Sequence, residues 1–171
     1  MAERAILSLG SNVGDRERYL EQAVELLVKD GSIQVVVGSP IYETQPVGLP
    51  TAQADYLNQV IVITTELTAQ GLLAVCQGVE ESLGRPGNHT AAAPRTIDID
   101  IITYGNLIHS SEELILPHPR YTKRKFVLVP LADIEPTFHD PVTGRSIQQL
   151  VEGCLDTSSI ERWDHARSTA C

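Results

Sequence analysis

The 171-residue chain predicts an α+β fold, a ferredoxin-like β-α-β-β-α-β sandwich followed by C-terminal additions. Two stretches with helical periodicity alternate with four runs of strand character in that order. No linker, repeat or low-complexity run divides the chain, so residues 1–171 read as a single domain with a flexible tail from about 155. Composition agrees, because 42% hydrophobic and 20% charged residues are too apolar for disorder and sufficient for a buried core.

The first strand is the apolar run 5–9, closed by Gly10. Asp15 is placed to cap a helix over 16–29 whose Leu20, Ala23, Val24 and Leu27 share one face, and Gly31 stops it. Residues 33–44 are rich in Val and Ile but contain Pro40, which predicts an edge or bulged strand. A Pro- and Gly-rich loop of about a dozen residues follows, long enough to suggest function. Residues 56–65 form the third strand, and Thr68 caps a second helix with Leu72, Cys76, Val79 and Leu83 on one side, closed by Gly84. After an aperiodic loop over 85–94, residues 97–104 alternate Ile with polar residues as a strand. Short pieces near 107–108 and 114–116, a short helix near 127–132 and a turn at 140–144 follow. Ser146 and Gln149 form a capping box for a last helix ending near Gly153.

Thirteen Lys and Arg against 22 Asp and Glu give a net charge of -9, an exterior that repels polyanions. Nucleic acid and anionic membrane are therefore excluded as partners, and no stretch approaches a membrane span. Cys76, Cys154 and Cys171 have neither metal-site spacing nor a disulfide framework, which predicts a reduced, cytoplasmic protein, and a monomer is expected. Charge is uneven. Between Gly84 and Phe126 six Lys and Arg face four acidic residues, a local +2 within the total of -9 that leaves -11 to the remainder. Such an island suits a small, highly charged anion, and equally a solvated basic loop.

Within that island Asp98 and Asp100 lie two apart on a strand, so both carboxylates project from one face, their Cα atoms about 6.5 Å apart. A pair of Mg²⁺ ions would relieve their repulsion, although alternation with Ile also fits an ordinary solvent-facing edge. Arg85, Arg95, His118 and Arg124 around the pair would suit a Mg-nucleotide or other polyphosphate, since their side chains can hold the remaining oxygens. Tyr56 and Asn58 repeat the two-residue spacing on the third strand, offering an aromatic face and an amide to a flat heterocycle, with Phe126 as a second ring. Aromatics on strands are more often core than ligand platform. Gly10 to Asp15 lacks the spacing and Lys of a phosphate loop and reads as a turn and helix cap.

Taken in order, Leu9-Gly10-Ser11-Asn12, Tyr42 to Gly48, Tyr56-Leu57-Asn58, Glu80 with Gly84-Arg85, Pro94 to Ile101, and Leu116 to Arg120 with Arg124 to Leu128 resemble the 6-hydroxymethyl-7,8-dihydropterin pyrophosphokinases of folate biosynthesis. The resemblance runs from about Ala5 to Pro136. It implies transfer of pyrophosphate from ATP to the pterin hydroxymethyl group, with release of AMP. It further implies that Asp98 and Asp100 hold two Mg²⁺ ions and that Arg85 and Arg95 join them as catalytic residues. ATP would be bound by Gln77, Glu80, Arg85, Arg95, Ile101, His118 and Arg124, and the pterin by Thr44, Pro46, Val47, Tyr56, Asn58 and Phe126. Gly87, Ala92 and Glu113 depart from side chains that some members carry, and a lid is expected over 85–93. A nucleotide-sensing module without chemistry and a metal phosphohydrolase are the rival readings.

Overall fold

The computed structural model describes residues 1–46, 54–84 and 96–164. Its elements run β1 (Glu3–Ser11), α1 (Arg16–Val28), β2 (Ile33–Gly38), β3 (Tyr42–Thr44), β4 (Tyr56–Thr65), α2 (Ala69–Ser82), β5 (Asp98–Tyr104), β6 (His109–Ser110), β7 (Ile115–Leu116), α3 (Lys125–Ile134), α4 (Ile147–Glu152) and β8 (Ile160–Arg162). The main sheet is antiparallel with order β5-β1-β4-β3-β8, and β2 also pairs with β4. The central strand β1 thus lies between β4 and β5, where both of its edges are satisfied.

Helix starts follow from their caps. Asp15 accepts from Arg18 N and Thr68 accepts from Gly71 N, each satisfying a first-turn donor that the helix cannot pair. Gly31 and Gly84 take positive φ, +82° and +101°, where a side chain would be strained, and so end α1 and α2. The Ser146–Gln149 capping box opens α4.

Each face of the sheet buries a separate cluster. Leu7, Leu9, Leu57, Ile61, Ile63, Ile99 and Ile101 pack against Leu20, Ala23 and Leu27 of α1 and Leu72, Cys76 and Val79 of α2. Ile6, Val60, Val62 and Ile102 pack against Val127, Leu128 and Leu131 of α3 and Ile147 and Leu150 of α4. Ile97, Ile99 and Ile101 share one face as the alternation predicts, Ile102 falls on the opposite face with the other cluster, and the register shifts beside it between Ile6 and Leu7.

Two expectations are corrected by the structure. The single strand over 33–44 is divided into β2 and β3, because Pro40 cannot donate to a ladder and β2 already shifts register between Val35 and Val37. Within the expected tail, Ile160 to Arg162 form β8 on the free edge of β3. The signal is weak in sequence because a three-residue edge strand carries too little alternation to register.

Candidate functional site

The register of the sheet assembles one polar row. Gly10 lies opposite Asp98 on one side and Asn58 on the other, and Asn58 lies opposite Tyr42. Ser8 is opposite Asp100, and Tyr56 opposite Thr44. These residues share the sheet face on which α3 packs, since Val60, Val62 and Ile102 continue the same alternation under that helix. Adjacent strands are about 4.8 Å apart, so Asp98 and Asn58, two strands apart in one row, stand roughly 10 Å from each other. The carboxylates and the buried amide therefore occupy two ends of one short floor.

Gly10 makes that floor flat. A Cβ there would meet Asn58 Oδ1 at 2.8 Å and Tyr56 Cδ1 at 3.3 Å. In sequence Gly10 reads as part of a turn, and its close approach to Asn58 is set by the cross-strand register, which local pattern does not carry. Asn58 is buried, with 4% of its surface exposed, and its Nδ2 donates to Thr44 Oγ1 at 2.5 Å. A buried amide in the sheet would be expected to meet a polar ligand or a loop backbone, but its partner here is a side chain on β3, which fixes both Asn58 and Thr44 in orientation. Tyr56 and Phe126 are half-buried, Tyr56 on β4 and Phe126 in the first turn of α3, on the same side of the sheet. Pro46 is half-buried immediately after β3.

Asp98 and Asp100 are both partly exposed on β5. Arg124 Nη1 lies 3.8 Å from Asp100 Oδ2, and its guanidinium stands 5.4 Å from the centroid of Phe126. One arginine thereby links the carboxylate end of the floor to the aromatic end. Among the described residues no group of three or more His, Cys, Asp or Glu side chains forms a metal cage. Two same-face, partly exposed carboxylates fit Mg²⁺, which is held through one or two carboxylates plus water and substrate phosphates.

Glu80 is buried and its Oε2 accepts from Ile99 N at 2.9 Å, between the two aspartates on the outer edge of β5. Its carboxylate thus holds the backbone that aims Asp98 and Asp100, a role that the motif alone does not suggest. Ile101 is 4% exposed and its side chain belongs to the core over α1 and α2. Gln77 is exposed on α2. His118 N donates to Ile102 O at 2.8 Å, and Arg120 N donates to His118 Nδ1 at 3.1 Å, which leaves the ring proton on Nε2. Burial first, then the charges of Arg124 and Arg120, push His118 down to about 4 against a smaller opposing pull from Asp98. The ring is a neutral donor near pH 7. Arg85, Arg95 and Val47, with Gly87, Ala92 and the lid expected over 85–93, lie outside the described residues.

Comparison with known proteins gives a consistent result. The family described as 7,8-dihydro-6-hydroxymethylpterin-pyrophosphokinase (HPPK) matches residues 6–136. A protein of Methylorubrum extorquens named 2-amino-4-hydroxy-6-hydroxymethyldihydropteridine pyrophosphokinase is 45% identical over 159 residues, covering 93% of this chain and 98% of that one. A Bacillus subtilis protein of the same name is 39% identical over 165 residues, covering 96% and 98%. Among solved structures, a Plasmodium falciparum HPPK-DHPS chain superposes with a TM-score of 0.70 at 15% identity, covering 89% of this chain. This chain spans 45% of that one, so the likeness is one of fold over part of a longer protein. With the family matched over most of its length and full-length relatives near 40% identity, the chain belongs to the 7,8-dihydro-6-hydroxymethylpterin-pyrophosphokinase family.

Proposed function

We propose that the protein transfers the β,γ-pyrophosphoryl group of ATP to the hydroxymethyl oxygen of 6-hydroxymethyl-7,8-dihydropterin, as a step of folate biosynthesis. The observation that carries this reading is the shared row Asp98–Gly10–Asn58. A flat heterocycle seated over Gly10 and read by Asn58 places a one-carbon arm toward the carboxylates roughly 10 Å away. The arm oxygen attacks the β-phosphorus, the β-phosphorus to oxygen bond to the α-phosphate breaks, and AMP leaves. No covalent enzyme intermediate is needed, so positioning and charge neutralisation supply the rate.

In this reading Asp98 and Asp100 hold two Mg²⁺ ions, which when bound screen the phosphate charge. Arg124, Arg85 and Arg95 contact phosphate oxygens, and neutral His118 donates Nε2–H to one of them. Gln77 and the Ile101 backbone contact the nucleotide, while Glu80 positions β5. Tyr56 and Phe126 enclose the pterin, whose edge meets Asn58, Thr44, Pro46 and Val47. The same proposal takes the sheet and α1–α2 as a ferredoxin-like sandwich, and the chain as one domain that works as a cytoplasmic monomer without nucleic acid or membrane. The acidic exterior supports the latter, and among the described residues no helix is long and apolar enough to cross a membrane.

Asp98→Ala and Asp100→Ala provide the test. Each is expected to lower turnover by at least about a hundredfold, the scale set by losing one electrostatic group at such a site, with unchanged thermal unfolding. Turnover within about threefold of the parent in both variants would remove the carboxylates from the mechanism.

A further inference from the structure

Residues 155–164 lie beyond the segment matched by the family model, and they form a strap across two walls of the proposed pterin slot. At one end Asp156 Oδ2 accepts from Lys125 N at 3.1 Å, and Lys125 Nζ donates to Ser158 O at 3.1 Å. Asp156 Oδ1 accepts from Ser158 N at 2.9 Å and Ser158 Oγ at 2.5 Å, which holds the carboxylate in place. At the other wall Gln45 N donates to Ser159 O at 3.3 Å and Ser159 N to Gln45 Oε1 at 2.9 Å, and Ile160 pairs with Thr44. Beyond β8, Trp163 N donates to Ile41 O at 2.8 Å, and the ring faces the Arg16 guanidinium 5.1 Å from its centroid.

Each wall has one edge that its own element leaves open. The N-cap residue of α3, Arg124, makes no side-chain cap, so its first turn lacks the usual acceptor and Asp156 supplies one from 31 residues away. A carboxylate at that position also complements the positive end of the helix. Burial alone would raise the Asp156 carboxyl, but the hydrogen bonds from Ser158 and Lys125 and the Lys125 charge hold it below the usual carboxylate range. On the other side β3 has three residues and ends at Thr44, and β8 is the strand that pairs its outer edge. Phe126 follows Lys125 directly, and Pro46 follows Gln45.

We propose that the strap, through Asp156 and Ser159, is a positioning element that sets the spacing between the Phe126 wall and the Thr44–Pro46 wall and thereby the affinity for pterin. This rests on the pterin reading given above. Steady-state kinetics of the full chain, varying pterin and ATP separately, test it. Asp156→Ala is expected to raise KM for pterin about fivefold, the loss of about one hydrogen bond's free energy, with KM for ATP unchanged. Ser158→Ala, a milder change that keeps the strap's backbone pairing, is expected to raise it about twofold. Leu155→Ser, at a residue 92% exposed, should match the parent. Emission of Trp163, the single tryptophan, checks that the strap end is docked in each variant. Unchanged pterin KM in both Asp156→Ala and Ser158→Ala, or pterin and ATP constants that move together with the melting temperature, would overturn the proposal. Tyr56→Ala separates the two levels: if it leaves pterin KM unchanged, the slot itself is misassigned, whereas a raised KM there with no effect of Asp156→Ala condemns only the strap.

Discussion

At Gly10 the absence of a single carbon keeps the row between Asp98 and Asn58 open. Because a Cβ would stand 2.8 Å from Asn58 Oδ1, and Asn58 is itself pinned to Thr44, Gly10→Ala has little room to relax. It is expected to weaken pterin binding about tenfold in a fluorescence titration while ATP binding is kept, the scale of one displaced buried hydrogen bond. His118 gives a second residue-level prediction. Its folded pKa of about 4 lies below the ordinary 6.5, so the folded state takes up its proton later than the unfolded chain. Stability is unaffected above pH 6.5 and declines as pH falls from there toward 4. The His118 ring resonances of the ligand-free protein should therefore stay flat between pH 8 and 5.5, and a midpoint near 6.5 would contradict the buried, cation-flanked environment. Residues such as Asp98, Asp100, Asn58 and Tyr56 were legible in sequence because a spacing of two on a strand fixes a common face. Gly10 was not, because its meaning depends on which strands lie beside it.

At the scale of elements, local chemistry accounts for most boundaries: the caps at Asp15, Thr68 and Ser146 and the positive-φ glycines at 31 and 84 all act within one turn of the residue that signals them. What local pattern could not supply was pairing between distant segments. The division of 33–44 at Pro40 and the addition of β8 both depend on edges that exist only after the sheet has formed. Glu80 is the same case, a helix residue whose partner is the backbone of β5. Glu80→Ala would leave Ile99 N without that carboxylate and is expected to destabilise the fold by about 1–3 kcal/mol in denaturant titration. Glu80→Gln retains an acceptor and should recover most of that loss. Equal midpoints for the parent and Glu80→Ala would show that β5 does not depend on this contact.

Across the whole molecule, the acidic exterior and the basic segment from 84 to 126 divide the labour, one facing solvent and the other contributing Arg124 and His118 around the carboxylates of β5. The sheet brings the two halves of the site together: β5 provides the acidic end, β4 and β3 the amide and hydroxyl, and α3 the covering aromatic. Family membership and this arrangement point to one reaction, attack at the β-phosphorus of ATP by a pterin hydroxymethyl oxygen. The most direct test is ³¹P NMR of the products formed by the purified protein from ATP, Mg²⁺ and 6-hydroxymethyl-7,8-dihydropterin. The account predicts AMP and pterin diphosphate in equal amounts, with nothing formed when pterin is omitted. Formation of ADP with a pterin monophosphate, or release of phosphate without pterin, would contradict it.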